Sequence, residues 1–214
     1  ILYLTGYKDI TIDTIKNFRQ LNSPTAGHPE YGELAGVETT TGPLGQGLAN
    51  SVGMAIAEAH LSSQFGEKII NHFTFSIVGD GCLMEGISHE AASIAGHLKL
   101  GKLIVLFDDN DITIDGSTNL STSDDITSRF EAYGWEVLSC DGHNMDDINK
   151  KIKVAKGSLH KPTLIKCKTI IGKGSPNFSG TSKVHGAPLG EEEVIKTREN
   201  LNWPHDPFKI PEKI

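Results

Sequence analysis

The stretch from Phe73 to Phe107 constrains the fold more than any other part of this 214-residue chain. Phe73-Thr74-Phe75-Ser76-Ile77-Val78 is a β-rich apolar run and Gly79-Asp80-Gly81 a turn. Glu85 to Leu100 carries a helical pattern that Gly101 stops, and Leu103 to Phe107 is a second apolar run. Two runs of strand length joined through a helix by short connections predict a right-handed βαβ unit with parallel strands. A chain committed to that unit is an α/β protein.

The rest of the chain extends the pattern. Residues 8 to 20 carry a short helical stripe at Ile12, Ile15 and Phe18, broken by Asn22-Ser23-Pro24, and a long loop runs from Asn22 to Gly45. Loops longer than about 12–15 residues without structure of their own are usually functional. Gly45-Gln46-Gly47 opens a small-residue helix through about Phe65, with Leu48, Val52, Ala55, Ile56 and Ala59 at helical spacing. Trp135 to Leu138 and Thr163 to Cys167 read as further strands, with a helix over Asp146 to Lys156 between them. A second glycine-rich loop spans 172–190, and a charged helix runs from Glu191 to about Leu201. The expected fold is a doubly wound, mostly parallel sheet with helices on both faces. One domain spans residues 1–202, and Pro204, Pro207 and Pro211 mark 203–214 as the start of a linker.

The formal net charge of −7 excludes a strongly basic nucleic-acid binder and gives no reason to propose a membrane-surface partner. No run of about 18 apolar residues is present, and Ile1-Leu2-Tyr3-Leu4 is not a signal peptide. Cys82, Cys140 and Cys167 are odd in number and far apart, without CxxC spacing, so neither a disulfide framework nor a zinc site is indicated and a cytoplasmic setting is expected. The 23 glycines exceed the ~7% usual in globular chains and fall in short clusters, as where backbone approaches a ligand or turns tightly.

Ligands of open α/β sheets bind outside the carboxyl ends of the strands. Two polar clusters fall there, Gly79-Asp80-Gly81 and Asp108-Asp109-Asn110-Asp111, and a helix starting near Glu85 would aim its N–H groups at the same edge. A diphosphate with magnesium suits this set: Asp80, the Asn110 amide oxygen and a main-chain carbonyl just beyond could fill three positions of an octahedral oxygen shell. Other matches fail on mechanism. Residues 96–103 nearly spell a P-loop but lack its terminal Ser or Thr and lie between helix and strand, the wrong order. His89-Glu90 begins a zinc-protease motif that Ser93 breaks, and Asp111-x-Thr113-x-Asp115-Gly116 begins a calcium loop that Thr122 fails to complete. Met84 occupies the third glycine position of a dinucleotide-binding turn.

Gly79-Asp80-Gly81 followed by Asn110 resembles the signature of thiamine diphosphate enzymes, and longer motifs narrow the match. The run from Gly79 to Ala91, Pro29 preceded by Gly27-His28, the run from Thr41 to Gly47, and His185-Gly186-Ala187-Pro188-Leu189-Gly190 together resemble the transketolase family over nearly the whole chain. The resemblance implies magnesium, with calcium as a possible substitute, on Asp80, Asn110 and the Ile112 carbonyl. It implies Gly81 and Asn110 against the diphosphate, and Gly42, Pro43 and Leu44 against the cofactor rings. His28 and His185 match histidines of the substrate channel, with His185 also near the diphosphate, and Glu85 matches a buried glutamate in a network across a homodimer interface. Asp111 stands where some relatives have Gly. The implied reaction moves a two-carbon ketol unit from a ketose phosphate to an aldose phosphate in the pentose phosphate pathway, the cofactor carrying the carbanion chemistry and histidines suited to moving protons.

The resemblance further implies that a glutamate activating the aminopyrimidine ring lies in a second, pyrimidine-binding domain outside this sequence, along with earlier motifs bearing two channel histidines. The chain is therefore expected to be a fragment, or half of a split enzyme whose partner chain carries the missing domain. A dihydroxyacetone synthase-like relative and a non-catalytic interaction subunit are the alternative readings. His60, His72, His89, His97, His143 and His160 are read as structural and Cys82 as a packing residue.

Overall fold

A computed structural model describes residues 1–211. Four strands, β1 (Thr74–Gly79), β2 (Leu103–Asp109), β3 (Glu136–Asp141) and β4 (Thr163–Lys168), form one sheet in the order β1-β2-β4-β3, every pair parallel. Among the described residues seven α-helices accompany them: α1 (Ile12–Lys16), α2 (Gln46–Phe65), α3 (Asp80–Met84), α4 (Gly86–His97), α5 (Ile126–Ala132), α6 (Met145–Gly157) and α7 (Glu191–Asn200).

Strand alternation explains why both faces are covered. Leu103, Val105 and Phe107 of β2 join Leu164 of β4 in one apolar cluster with Leu48, Val52 and Ala55 of α2, Ala91, Ala92 and Ala95 of α4 and Phe130 of α5. Ile104 of β2 points the other way with Ile165 and Cys167, against Ile148, Ile152 and Ala155 of α6. Register matches Val105 with Leu164 and Leu106 with Ile165, so a one-residue slip would exchange the two clusters. Leu103, Ile104 and Val105 have no exposed surface, and each contributes about 1.5–3 kcal/mol by leaving water.

The small residues of α4 let it come close to its neighbours. A Cβ on Gly96 would lie 1.8 Å from the Tyr133 carbonyl oxygen, so only glycine fits there. Trp135 closes the same layer, donating its indole N–H to the Ala92 carbonyl at 2.8 Å and meeting Phe130 edge-on at 5.1 Å.

Several expectations are corrected. The stripe over residues 8–20 forms only α1, buries nothing, and leaves Phe18 exposed, because no layer lies against it. Of the α2 stripe, Leu48, Val52 and Ala55 are buried but Ile56 and Ala59 face solvent, and Glu58, outside the stripe, is buried. The helix expected over Glu85 to Leu100 is α4, but the segment before it is not only a turn: Asp80 and Gly81 already lie in a short helix, α3, which Glu85, extended at φ −67° and ψ 140°, separates from α4. Helix α5 had no expected counterpart. Cys140 and Cys167, 27 positions apart, are register partners on β3 and β4 with free thiols and sulfurs 3.6 Å apart, a proximity that sequence spacing conceals. Their burial pushes both thiols up, Cys167 to about 12.

Beyond α7 the chain turns back, the Trp203 N–H donating to the Arg198 carbonyl at 2.9 Å and the Trp203 ring meeting His205 edge-on. Residues 212–214 of the expected linker lie outside the described residues. No helix among the described residues is long and apolar enough to cross a membrane.

Candidate functional site

The carboxyl ends of β1 and β2 open onto a cleft of about 640 Å³. Asp80, Gly81 and Glu85 line it from α3 and its end, Asn110 and Ile112 from the segment after β2, Leu44 from the loop before α2, and His185 from the second glycine-rich loop. Seven of the ten residues named from the sequence thus share one cavity. The other three, His28, Gly42 and Pro43, do not line it. Gly42 instead lies against His28: a Cβ there would be 3.4 Å from His28 Cβ and 3.6 Å from its ring Cδ2.

Close backbone approach assembles the wall. A Cβ on Gly81 would lie 3.1 Å from Leu44 Cδ1, so Leu44 rests on the start of α3. Gly45, at φ +83°, turns the chain over Glu85 and Ile87, with room for no side chain. The second glycine-rich loop is fixed from behind by Glu193 of α7, which accepts from the Asn177 N–H at 2.9 Å, the Asn177 amide at 2.7 Å and the Ser175 hydroxyl.

Asp80 is the electrostatic centre. Its Oδ2 is buried and has no hydrogen-bond partner among the described residues. Burial, followed by the nearby charges of Asp109, Asp111 and Asp108, pushes its carboxyl from 3.8 up to about 6. A buried carboxylate oxygen without a donor is costly unless a cation or proton takes it. Asn110 stands beside it with its amide nitrogen donating to Asp108 Oδ2 at 3.0 Å and its amide oxygen accepting from the Ile112 N–H at 2.9 Å. That oxygen keeps a second lone pair. The donor set, one carboxylate, one amide oxygen and backbone carbonyls, is all oxygen and suits magnesium or calcium rather than a soft metal.

The segment after β2 is held to β4. Lys168 pairs with Asp111 and lies 3.7 Å from Asp109, and Thr169 donates its hydroxyl to Asp108. Asp111 adopts φ +62°, a left-handed conformation that Asp tolerates and Gly adopts freely. The would-be calcium loop is a tight turn instead, with the Thr113 N–H donating to the Gly116 carbonyl at 2.7 Å and Ile112 bridged to Ser117.

Two placements, those of Glu85 and Thr169, differ from expectation or went unanticipated. Glu85 is exposed, so its expected burial is not supplied by this chain's described residues. His89 is structural, its Nδ1 2.9 Å from the Tyr133 hydroxyl and its Nε2 3.2 Å from Arg129, which also donates to the Leu83 carbonyl at 3.0 Å. His143 likewise accepts from the Ile170 N–H at 2.8 Å. Nothing in the sequence singles out the hydroxyl of Thr169, which stands two residues past the strand-like run Thr163 to Cys167.

An all-parallel α/β sheet whose carboxyl edge carries an oxygen-rich, cation-seeking cleft defines a cofactor-binding domain. Residues 1–214 match the family model described as transketolase, thiamine diphosphate binding domain, and the chain belongs to that family. It is 58% identical over 219 residues to a transketolase of Nostoc sp., covering 100% of this chain and 33% of that protein. The crystal structure of a Campylobacter jejuni transketolase superposes with TM-score 0.94 at 47% identity over 99% of this chain and 33% of that one. A Pichia stipitis transketolase in complex with sedoheptulose-7-phosphate gives TM-score 0.93 at 42% identity over 98% of this chain and 32% of that one. The chain spans about a third of the length of the relatives it matches.

Proposed function

We propose that this chain supplies the diphosphate and metal half-site of a transketolase that moves a two-carbon ketol unit between sugar phosphates. The observation that carries the reading is Asp80: a buried, unpartnered carboxylate oxygen beside an amide oxygen with a free lone pair, at the strand ends of a thiamine diphosphate-binding domain. Asp80, Asn110 and the Ile112 carbonyl would hold magnesium, or calcium in its place, and Gly81 and Asn110 would meet the diphosphate. Bound thiamine diphosphate supplies the electron sink for carbanion chemistry.

The protein's part is to bind, orient and move protons. Gly81 leaves its N–H uncovered by any side chain of its own, as close contact with an anion requires. Leu44, half-exposed over Gly81, gives an apolar surface for a ring, continued by Pro43 and Gly42. The imidazoles of His185 at the cleft and His28 beside Gly42 would exchange protons with substrate hydroxyls. Glu85, exposed here, would meet a second subunit of a homodimer. Residues 1–202 would form the cofactor domain and 203–214 the start of a linker to a pyrimidine-binding domain. Sugar phosphates are the proposed substrates, supported by the sedoheptulose-7-phosphate complex of the Pichia stipitis relative, and a cytoplasmic site of action fits free thiols.

The test is calorimetric titration of thiamine diphosphate into the full natural chain with and without magnesium, followed by turnover of xylulose 5-phosphate with ribose 5-phosphate. Magnesium-dependent binding and turnover are expected. Binding that ignores magnesium would overturn the ligand assignment, and turnover only with formaldehyde as acceptor would move the protein to a dihydroxyacetone synthase.

A further inference from the structure

The Asn110 amide must stand one way round to serve a metal, because its oxygen can be a ligand and its nitrogen cannot. We infer that Asp108 is a positioning residue which, held by Thr169, fixes that orientation and leaves the Asn110 amide oxygen available to a cation. The inference rests on the reading of Asp80, Asn110 and Ile112 as metal ligands.

Three hydrogen bonds carry it. Asp108 Oδ2 accepts from the Asn110 amide nitrogen at 3.0 Å, Asp108 Oδ1 accepts from the Thr169 hydroxyl, and the Ile112 N–H donates to Asn110 Oδ1 at 2.9 Å. A carboxylate only accepts and a backbone N–H only donates. Turning the amide over would therefore set oxygen against carboxylate and NH₂ against N–H, losing both bonds and adding two repulsions. Thr169 is itself anchored, its N–H donating to the Asp109 carbonyl at 3.2 Å, so the reference point is the end of β4.

The charge of Asp108 does not explain its position. Among the described residues no cation pairs with it: Lys166 and Lys168 go to Asp109 and Asp111. An unpaired carboxylate beside the place for a diphosphate repels it, so charge alone would favour a neutral residue at 108. Geometry favours the acceptor. The two accounts predict opposite outcomes when the carboxylate is replaced by a group that cannot accept.

The experiment uses the full natural chain carrying Asp108→Asn, Asp108→Leu or Thr169→Val. In Asp108→Asn the new amide oxygen still accepts from Asn110, and the Thr169 hydroxyl can turn to accept from the new NH₂. One readout needs no cofactor: the side-chain amide signal of Asn110 in protein labelled with ¹⁵N-asparagine, assigned by its loss in Asn110→Asp. The signal should stay dispersed in wild type and Asp108→Asn and collapse toward that of a free amide in Asp108→Leu. The other is the magnesium concentration that half-saturates thiamine diphosphate binding. Groups that orient metal ligands typically cost 10–100-fold in metal affinity when removed, so Asp108→Leu should raise that concentration about 10- to 100-fold and Asp108→Asn by less than about threefold.

Equal tightening in Asp108→Asn and Asp108→Leu, as charge alone would give, overturns the inference. An unchanged Asn110 signal in Asp108→Leu also overturns it. Should Asp108→Leu fail to fold, Thr169→Val decides: a loosened amide and weaker magnesium dependence support the inference, and wild-type behaviour in both overturns it. If wild type shows no magnesium dependence, the metal-ligand reading falls and the inferred purpose falls with it, while the amide signal still reports whether Asp108 orients Asn110.

Discussion

The two ends of the sheet each carry a concave surface and an acid with a buried carboxylate oxygen, and they treat that acid in opposite ways. At the amino end, beside a cavity of about 350 Å³, Glu58 of α2 is 4% exposed and accepts from Lys102 Nζ at 2.7 Å. At the carboxyl end Asp80 borders the 640 Å³ cleft with one oxygen buried and unpartnered, and its carboxyl is pushed up to about 6. Concavity does not distinguish the ends; satisfaction does. A fold that needed an acid only for structure has paired it, and the acid left wanting a cation stands where parallel sheets bind ligands.

The sharpest way to break this comparison is to take away the partner at the satisfied end. Lys102→Met leaves Glu58 charged and buried without its cation, and removing one member of a buried pair costs about 3–5 kcal/mol. Urea denaturation should show a loss of that order, and Glu58→Leu combined with Lys102→Met should recover most of it. Magnesium dependence of thiamine diphosphate binding should be unchanged, because the pair lies at the opposite edge. Loss of that dependence in a folded Lys102→Met protein would mean the two ends are not independent.

Asp80→Asn probes the unsatisfied end and should act in two directions. Cofactor affinity in magnesium should fall about 100-fold, equivalent to about 2.7 kcal/mol, because the one carboxylate of the proposed ligand set is gone. Stability without cofactor should rise. The carboxyl stands at about 6 in the fold against 3.8 for the free group, so folding favours the protonated form. The contribution is most favourable below 3.8 and is lost as pH rises through about 6. Above that pH the ionised group costs on the order of 1–2 kcal/mol after allowance for solvent screening, and the amide avoids this. Denaturation midpoints of wild type and Asp80→Asn should therefore converge near pH 4 and separate by pH 7. A constant separation across that range would show that Asp80 is not the titrating group.

The same contrast explains what could be read in the sequence. The four strands and the pairing of β1 with β2 were legible because buried parallel strands are nearly continuous apolar runs, and Asp80 and Asn110 were legible because strand ends are where polar clusters have meaning. The short helix α3 ahead of α4 was not, since Gly79-Asp80-Gly81 reads as a turn and only the backbone angle of Glu85 marks the break between the two helices. Burial of Glu58 was equally hidden: a glutamate on an α2 stripe reads as solvated until Lys102, 44 residues away, is brought to it by the fold. The resemblance located Asn110, but the orientation of its amide depends on Thr169, which reaches Asp108 only through the order β2-β4, with β3 displaced to the edge. Local pattern carries elements and motifs; contacts between strands distant in sequence carry the fine geometry of the site.

The smallest effect is expected at Asp111, and it sharpens the comparison most finely, because this acid at the carboxyl end is neither buried nor unpaired. Its backbone lies at φ +62°, a conformation that costs an ordinary L-residue about 1–2 kcal/mol and Gly almost nothing. Asp111→Gly relieves that strain but adds conformational freedom to the unfolded chain, a penalty of about 0.4–1 kcal/mol. The lost pair with Lys168 is more than half exposed on both sides and contributes at most about 0.5 kcal/mol. These terms nearly cancel, so the denaturation midpoint should move by less than about 1 kcal/mol. Asp111→Val should destabilise the fold by about 1–2 kcal/mol, because a branched side chain is least tolerant of this backbone. Both substitutions remove a charge that raises the Asp80 carboxyl, so both should lower it and widen the pH range over which magnesium binds. If Asp111→Gly were instead as damaging as Asp80→Asn, the acids of this edge would act as one unit, and the distinction between a carboxylate held for a ligand and one held by its neighbours would fail.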